Sequence, residues 1–128
     1  MNKYPAFRQK YYCAVRDVLV HVAREQSRIS YKELAQKVGM PVNTYTLTTL
    51  LGELLCDINE DEQKEKRPML SVLVVRSADR LPGIGIFDCA EYLGLLPANT
   101  TEDDELVFWA REKKRVYKTW SQVTERKS

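Results

Sequence analysis

The sequence has one histidine, three cysteines and five glycines in 128 residues, and each scarcity removes a class of function. A lone histidine, His21, has no neighbouring Cys, Asp or Ser motif and reads as a surface or half-buried helix residue, not a catalyst. Cys13, Cys56 and Cys89 are odd in number, widely spaced and without a CxxC pair. They fit neither a disulfide framework nor a zinc-ligand pattern, and read as small buried hydrophobes in a reducing compartment. No apolar run approaches the roughly 18 residues that a membrane span requires, and no secretory h-region follows Met1, so a cytoplasmic protein is expected. Paired carboxylates in a catalytic arrangement, a nucleophile with its base, and a phosphate-cradling glycine loop are also missing. The pair Gly83 and Gly85 does not lead from a strand into a helix through GxGxxG, so it reads as a hairpin turn. No enzyme, metal or cofactor is expected.

What is present is an ordinary globular balance of 44% hydrophobic and 30% charged residues, enough for one domain with its own core. The net charge of +2 is unevenly spread. Residues 1–52 net +5, residues 53–65 net −5, residues 66–105 net −3 and residues 106–128 net +5. Two basic ends therefore flank an acidic middle, and a polyanion would meet the ends.

Residues 5–26 carry Tyr12, Val15, Leu19 and Val22 at three- and four-residue steps, the period of a first helix. Ser30 and Glu33 form a capping box for a second, short helix that ends at Gly39. Met40, Pro41, Val42 and Asn43 make the turn, and Asn43 or Thr44 can cap a third helix. That helix carries an apolar stripe of Leu47, Leu50, Leu51, Leu54, Leu55 and Ile58. Residues 59–67 are too polar to pack and read as a solvated helix end or a loop. The β-branched run 69–75 reads as a buried central strand begun by Pro68. With Ile84-Gly85-Ile86-Phe87 returning as a second strand, it predicts a β-hairpin with a polar tip. A short helix then ends at Gly94, and a last amphipathic helix spans about 102–123, capped near Thr101. The spacing of Phe108, Trp109, Glu112, Val116 and Trp120 gives it one apolar side.

Helix, capped helix, glycine turn, apolar helix and hairpin, in that order, is the winged helix-turn-helix pattern. The fold class predicted is mainly α with a small β-hairpin, as a single domain over residues 1–128, with a core at 5–95 and an additional C-terminal helix. Ala35 and Gly39 stand at the usual small-residue and glycine positions, but Leu47 and Leu50 lie two residues late, so the turn is long.

The run Ile29-Ser30-Tyr31-Lys32-Glu33-Leu34-Ala35, followed by Gly39-Met40-Pro41, resembles the DNA-binding half of the O6-alkylguanine-DNA alkyltransferases and alkyltransferase-like proteins. Pro68 to Val72, then Pro82-Gly83-Ile84-Gly85, is similar to a degenerate form of that family's active-site segment and hairpin. The resemblance implies that Tyr31 acts at a flipped nucleotide. It also places Met69 where the family has its acceptor cysteine, with Leu70 and Ser71 in place of the neighbouring histidine and arginine. A thioether cannot serve as a thiolate nucleophile, so alkyl transfer is not expected. The family's intercalating arginine falls near Tyr45, and an extra acidic run separates the third helix from Pro68.

The function expected is double-stranded DNA binding by a non-enzymatic protein. Asn43, Thr44, Tyr45, Thr48 and Thr49 would reach base edges or phosphates, and Lys32, Lys37, Arg76 and Arg80 would contact the backbone. The chain as a whole resembles small bacterial or phage proteins, which implies a regulatory, mobile-element or defence-related setting. The alternative is a protein-interaction module, a homodimer or an accessory subunit, that uses the acidic residues 60–65 and 102–105 and the aromatic C-terminal helix.

Overall fold

The computed structural model describes residues 2–125, and the side chains of all of these except 84 and 122–125. Arg126 and Lys127, counted in the basic C-terminal stretch, lie outside the described residues. The described chain is mainly helical, with one small two-stranded parallel sheet. No described helix is long and apolar enough to cross a membrane.

The first helix, α1 (Tyr4–Arg24), turns Phe7, Tyr11, Val15, Leu19 and Val22 inward. Strand β1 (Ile29–Ser30) follows, and Ser30 doubles as the cap of α2 (Tyr31–Val38). The capping box forms as its spacing requires. The Glu33 amide donates to Ser30 Oγ at 3.0 Å, and the Ser30 amide donates to Glu33 Oε1 at 2.9 Å. Gly39 ends α2 with φ +78°, a left-handed conformation that strains any side-chain-bearing residue.

The third helical stretch opens with a π-turn at Thr46–Leu50 and continues as α3 (Leu51–Lys64). Leu50, Leu51, Leu54, Leu55 and Ile58 are buried, as the stripe requires, and Leu47 is half-buried. The helix does not end at Ile58. It runs on through the polar segment because Asn59 and Glu62 are buried in it, each satisfied by a partner from elsewhere in the fold. Asn59 donates to Ser71 Oγ at 2.7 Å and accepts from the Ser71 amide at 3.1 Å. Glu62 lies between Arg16 and Arg67, at 2.9 and 2.7 Å. Polarity along the sequence suggested a solvated end, but a buried polar group is tolerated wherever its hydrogen bonds are made.

The apolar run 69–75 is buried throughout, yet most of it is not a strand. Leu70–Leu73 form a 3-10 turn, and only β2 (Val74–Val75) is extended. β2 pairs in parallel with β1, Ile29 opposite Val74 and Ser30 opposite Val75. The expected return strand at 84–87 is instead the start of α4 (Ile84–Tyr92), so the hairpin is replaced by a turn and a single antiparallel bridge, Val75 to Pro82. The reason lies in overlapping periods. Ile86, Cys89, Ala90 and Leu93 repeat at three and four residues, which outweighs the short alternation of Ile84 and Ile86, and Pro82 cannot extend a ladder of donors.

The last helix, α5 (Glu102–Glu125), is capped by Thr101, whose Oγ1 accepts from the Asp104 amide at 3.1 Å. Trp109, Glu112, Val116 and Trp120 are buried along one side. This face holds the 3-10 segment in the centre of the molecule. Trp109 Nε1 donates to the Val72 carbonyl at 2.8 Å, and the Met69 amide donates to Glu112 Oε2 at 3.0 Å.

The cysteine reading is corrected by the packing of α3 against α4. Cys56 and Cys89, whose Cα atoms are 5.7 Å apart, form a disulfide, and Cys13 is free and exposed on α1, not buried. A separation of 33 residues says nothing about adjacency, which here is set by two helices meeting face to face.

Candidate nucleic-acid interface

The residues expected to meet DNA fall on three elements. The turn and the front of the third helix present Asn43, Thr44, Tyr45, Thr48 and Thr49, all exposed. Tyr45 is 51% exposed and its neighbour Val42 45%, high values for large apolar side chains. The backbone beneath them is held by local bonds. Asn43 Oδ1 accepts from the Thr46 amide at 2.8 Å, so Asn43 caps the helix, and the Thr48 hydroxyl donates to the Thr44 carbonyl at 2.6 Å. The π-turn adds one residue to the helical repeat here, and such insertions often mark functional positions. Nothing in the sequence signalled it.

Lys32 and Lys37 on α2 are exposed. Tyr31, the first residue of α2, is only half-exposed, and burial raises its hydroxyl pKa against the opposing effect of Arg76. Its ring lies against Gly83, where an added Cβ would stand 2.8 Å from the Tyr31 hydroxyl and 3.4 Å from two ring carbons. Gly83→Ala is therefore expected to lower stability by about 1–2 kcal/mol through overpacking. Gly83→Ala combined with Tyr31→Phe should recover most of that loss, since the hydroxyl is the clashing atom. Urea midpoints of the two variants check this, and equal midpoints would show that the strain lies elsewhere.

Arg76 and Arg80 lie on the turn between β2 and α4, both exposed, but neither is an unengaged cation. Arg76 holds Asp79 through two bonds, at 2.8 and 3.2 Å. Arg80 meets Glu33 at 3.2 Å, tying the turn to the start of α2. The Ser30 amide and the Arg80 guanidinium hold the Glu33 carboxyl below its usual range, and the Leu81 amide with Arg76 does the same for Asp79. These arginines would have to exchange a carboxylate for a phosphate on binding.

The acidic middle of the chain is engaged as well. Asp57 and Asp61 accept from the hydroxyls of Tyr4 and Tyr12 on α1, and Arg8 reaches both aspartates, at 3.2 and 3.6 Å. Burial and the bonded carboxylate push Tyr12 up to about 12 and raise Tyr4 further. Much of the charge asymmetry seen along the sequence thus closes on itself, with the basic first helix covering part of the acidic third.

Met69, at the position that would hold the acceptor cysteine, is 1% exposed, with its amide bound to Glu112. The position therefore faces the core, not a substrate. His21 is exposed, 3.3 Å from Glu25. No cluster of three or more metal-ligating side chains occurs among the described residues. No protein-family model, no curated protein and no solved structure matches this chain.

Proposed function

We propose that this protein is a non-enzymatic DNA-binding protein of winged-helix type that reads duplex DNA with the turn and front of its third helix. Its second helix and turn would be related to those of the alkyltransferase-like proteins. The observation that carries the reading is the exposed set Asn43, Thr44, Tyr45, Thr48 and Thr49, on either side of the inward-facing Thr46 and Leu47, on a capped, well-packed support. These are side chains that can donate to, accept from or stack on bases, and they are held on a helix whose opposite side is core. The bridge at Val75 and Pro82 closes a short turn that would stand in for the wing.

The protein-interaction alternative draws less support. Asp57, Asp61 and Glu62 are engaged by α1, and Trp109 and Trp120 are buried, which leaves Glu65 and the acidic residues 102–104 as its exposed acids.

The test is an anisotropy titration of labelled duplex DNA at low and moderate salt with wild type, Lys37→Glu and Tyr45→Ala. The wild type should bind at low salt and weaken as salt rises. Tyr45→Ala should lose about tenfold in affinity, in line with about 1–3 kcal/mol for an aromatic contact with a base. It should leave the thermal midpoint unchanged, since the side chain is half in solvent. No binding to any duplex at low salt overturns the proposal.

A further inference from the structure

Duplex affinity depends on cations that neutralise phosphates, and the third helix supplies almost none. No Lys or Arg occurs between Lys37 and Lys64. Arg76 and Arg80 are already paired with carboxylates. If the proposed function holds, Lys32 and Lys37 on α2 are the remaining cations of the expected interface, and further neutralising charge must come from elsewhere on the surface.

Cations without an ion-pair partner gather where α5 crosses the segment before β1. The Tyr117 hydroxyl donates to the Ser27 carbonyl at 2.9 Å, which docks α5 beside Arg28. Lys113 lies one turn earlier on α5, its ammonium 3.9 Å from the centroid of the Trp109 ring. Arg28 is near enough to depress the Lys113 pKa, adding to the effect of burial. Arg28 in turn donates to the Arg80 carbonyl at 3.3 Å, so it adjoins the same turn that meets α2 through Glu33. Among the described residues, neither Arg28 nor Lys113 has a carboxylate within ion-pair distance. Three carboxylates border the same surface hollow as Arg28: Glu25 lies 3.3 Å from His21, Glu33 is held by Arg80, and Asp17 is exposed, none of them within ion-pair distance of Arg28. Lys114 and Lys118, exposed and one turn apart on α5, extend the positive surface outward.

Arg28 and Lys113, more than eighty positions apart in sequence, thus lie on neighbouring segments joined by the Tyr117–Ser27 bond, with no carboxylate at ion-pair distance from either among the described residues. An arrangement of this kind gains when an anion bridges it. We propose that Arg28 and Lys113, continued by Lys114 and Lys118, form a phosphate-binding strip that holds the backbone of the duplex whose groove faces Tyr45. This inference rests on the proposed function, and it names the source of affinity that the third helix lacks.

The test is the slope of log affinity against log salt for the same labelled duplex. It uses wild type, the double variant Arg28→Gln with Lys113→Met, and Tyr45→Ala. Methionine keeps an apolar stem on Trp109 while removing the charge. Removing two phosphate contacts should reduce the slope by about 1.8 and lower affinity at least about tenfold at moderate salt, at roughly 0.9 per phosphate. Tyr45→Ala should lower affinity with the slope unchanged. Matching thermal midpoints for wild type and the double variant would show that the fold is intact. Wild-type binding with an unaltered slope in the double variant overturns the strip alone. Failure of wild type to bind duplex overturns the function on which it rests.

Discussion

Replacing Glu62 by Ala is expected to lower stability by about 3–5 kcal/mol. Glu62 is 1% exposed and receives Arg16 at 2.9 Å and Arg67 at 2.7 Å, one arginine on each carboxylate oxygen. Both guanidiniums also lie over the Trp120 ring, at 5.5 and 5.6 Å from its centroid. One carboxylate therefore joins α1, α3, the segment before Pro68 and α5. Removing it leaves two half-buried cations facing each other beside an aromatic ring, and the energy lost is chiefly that of uncompensated charge. Glu62→Gln keeps the shape and one acceptor and should fall between the two, while Arg16→Met in the Glu62→Ala background should restore part of the loss by removing one orphaned cation. Urea unfolding at neutral pH checks all three. A Glu62→Ala midpoint within error of wild type would show that the network contributes nothing.

Opening the Cys56–Cys89 bond is the second large expected effect. The bond joins α3 to α4 across 33 residues, and a loop of that length predicts about 3–4 kcal/mol of stabilisation from restriction of the unfolded chain. The double variant Cys56→Ala with Cys89→Ala should melt well below wild type under non-reducing conditions. Reductant should lower the wild-type midpoint towards that of the variant and leave the variant unmoved. A thiol count on the unfolded, unreduced chain should find one reactive group, Cys13. Three reactive thiols would show that the bond does not form. The bond also bears on the interface, because α3 continues from the helical turns that carry Tyr45 and Thr48. Its loss is expected to loosen that support and to weaken the proposed duplex binding as a secondary effect.

Some of this was legible in the residues. The Ser30–Glu33 box, the Gly39 stop, the Asn43 cap and the leucine stripe of the third helix are local features. Each is decided by bonds or contacts within a few residues, and each appears in the structure where the spacing placed it. The exposure of Asn43, Thr44, Tyr45, Thr48 and Thr49 follows from the same stripe, because residues off a helical apolar face are left to solvent. Lys32, Lys37, Arg76 and Arg80 were legible as surface cations, but not the acids that Arg76 and Arg80 hold.

The two misread strands share one cause. Residues 69–75 and 84–87 are short apolar runs, and a short apolar run is equally compatible with a strand, a 3-10 turn or a helix. What decided between them was the company they keep: Trp109 and Glu112 of α5 bind the Val72 carbonyl and the Met69 amide, and one extended pair is left to meet β1. Asn59 and Glu62 looked solvated because polarity is visible in a sequence and hydrogen-bond partners are not. The sequence by itself determined the first three helices, the cap and turn between them, and the polar row on the third. Only the tertiary structure decided the parallel pairing, the Cys56–Cys89 bond, the pairing of Glu62 with Arg16 and the docking of Tyr117 on Ser27 beside Arg28. Each of these contacts joins residues more than about thirty positions apart, where no local periodicity acts and packing alone sets the distance.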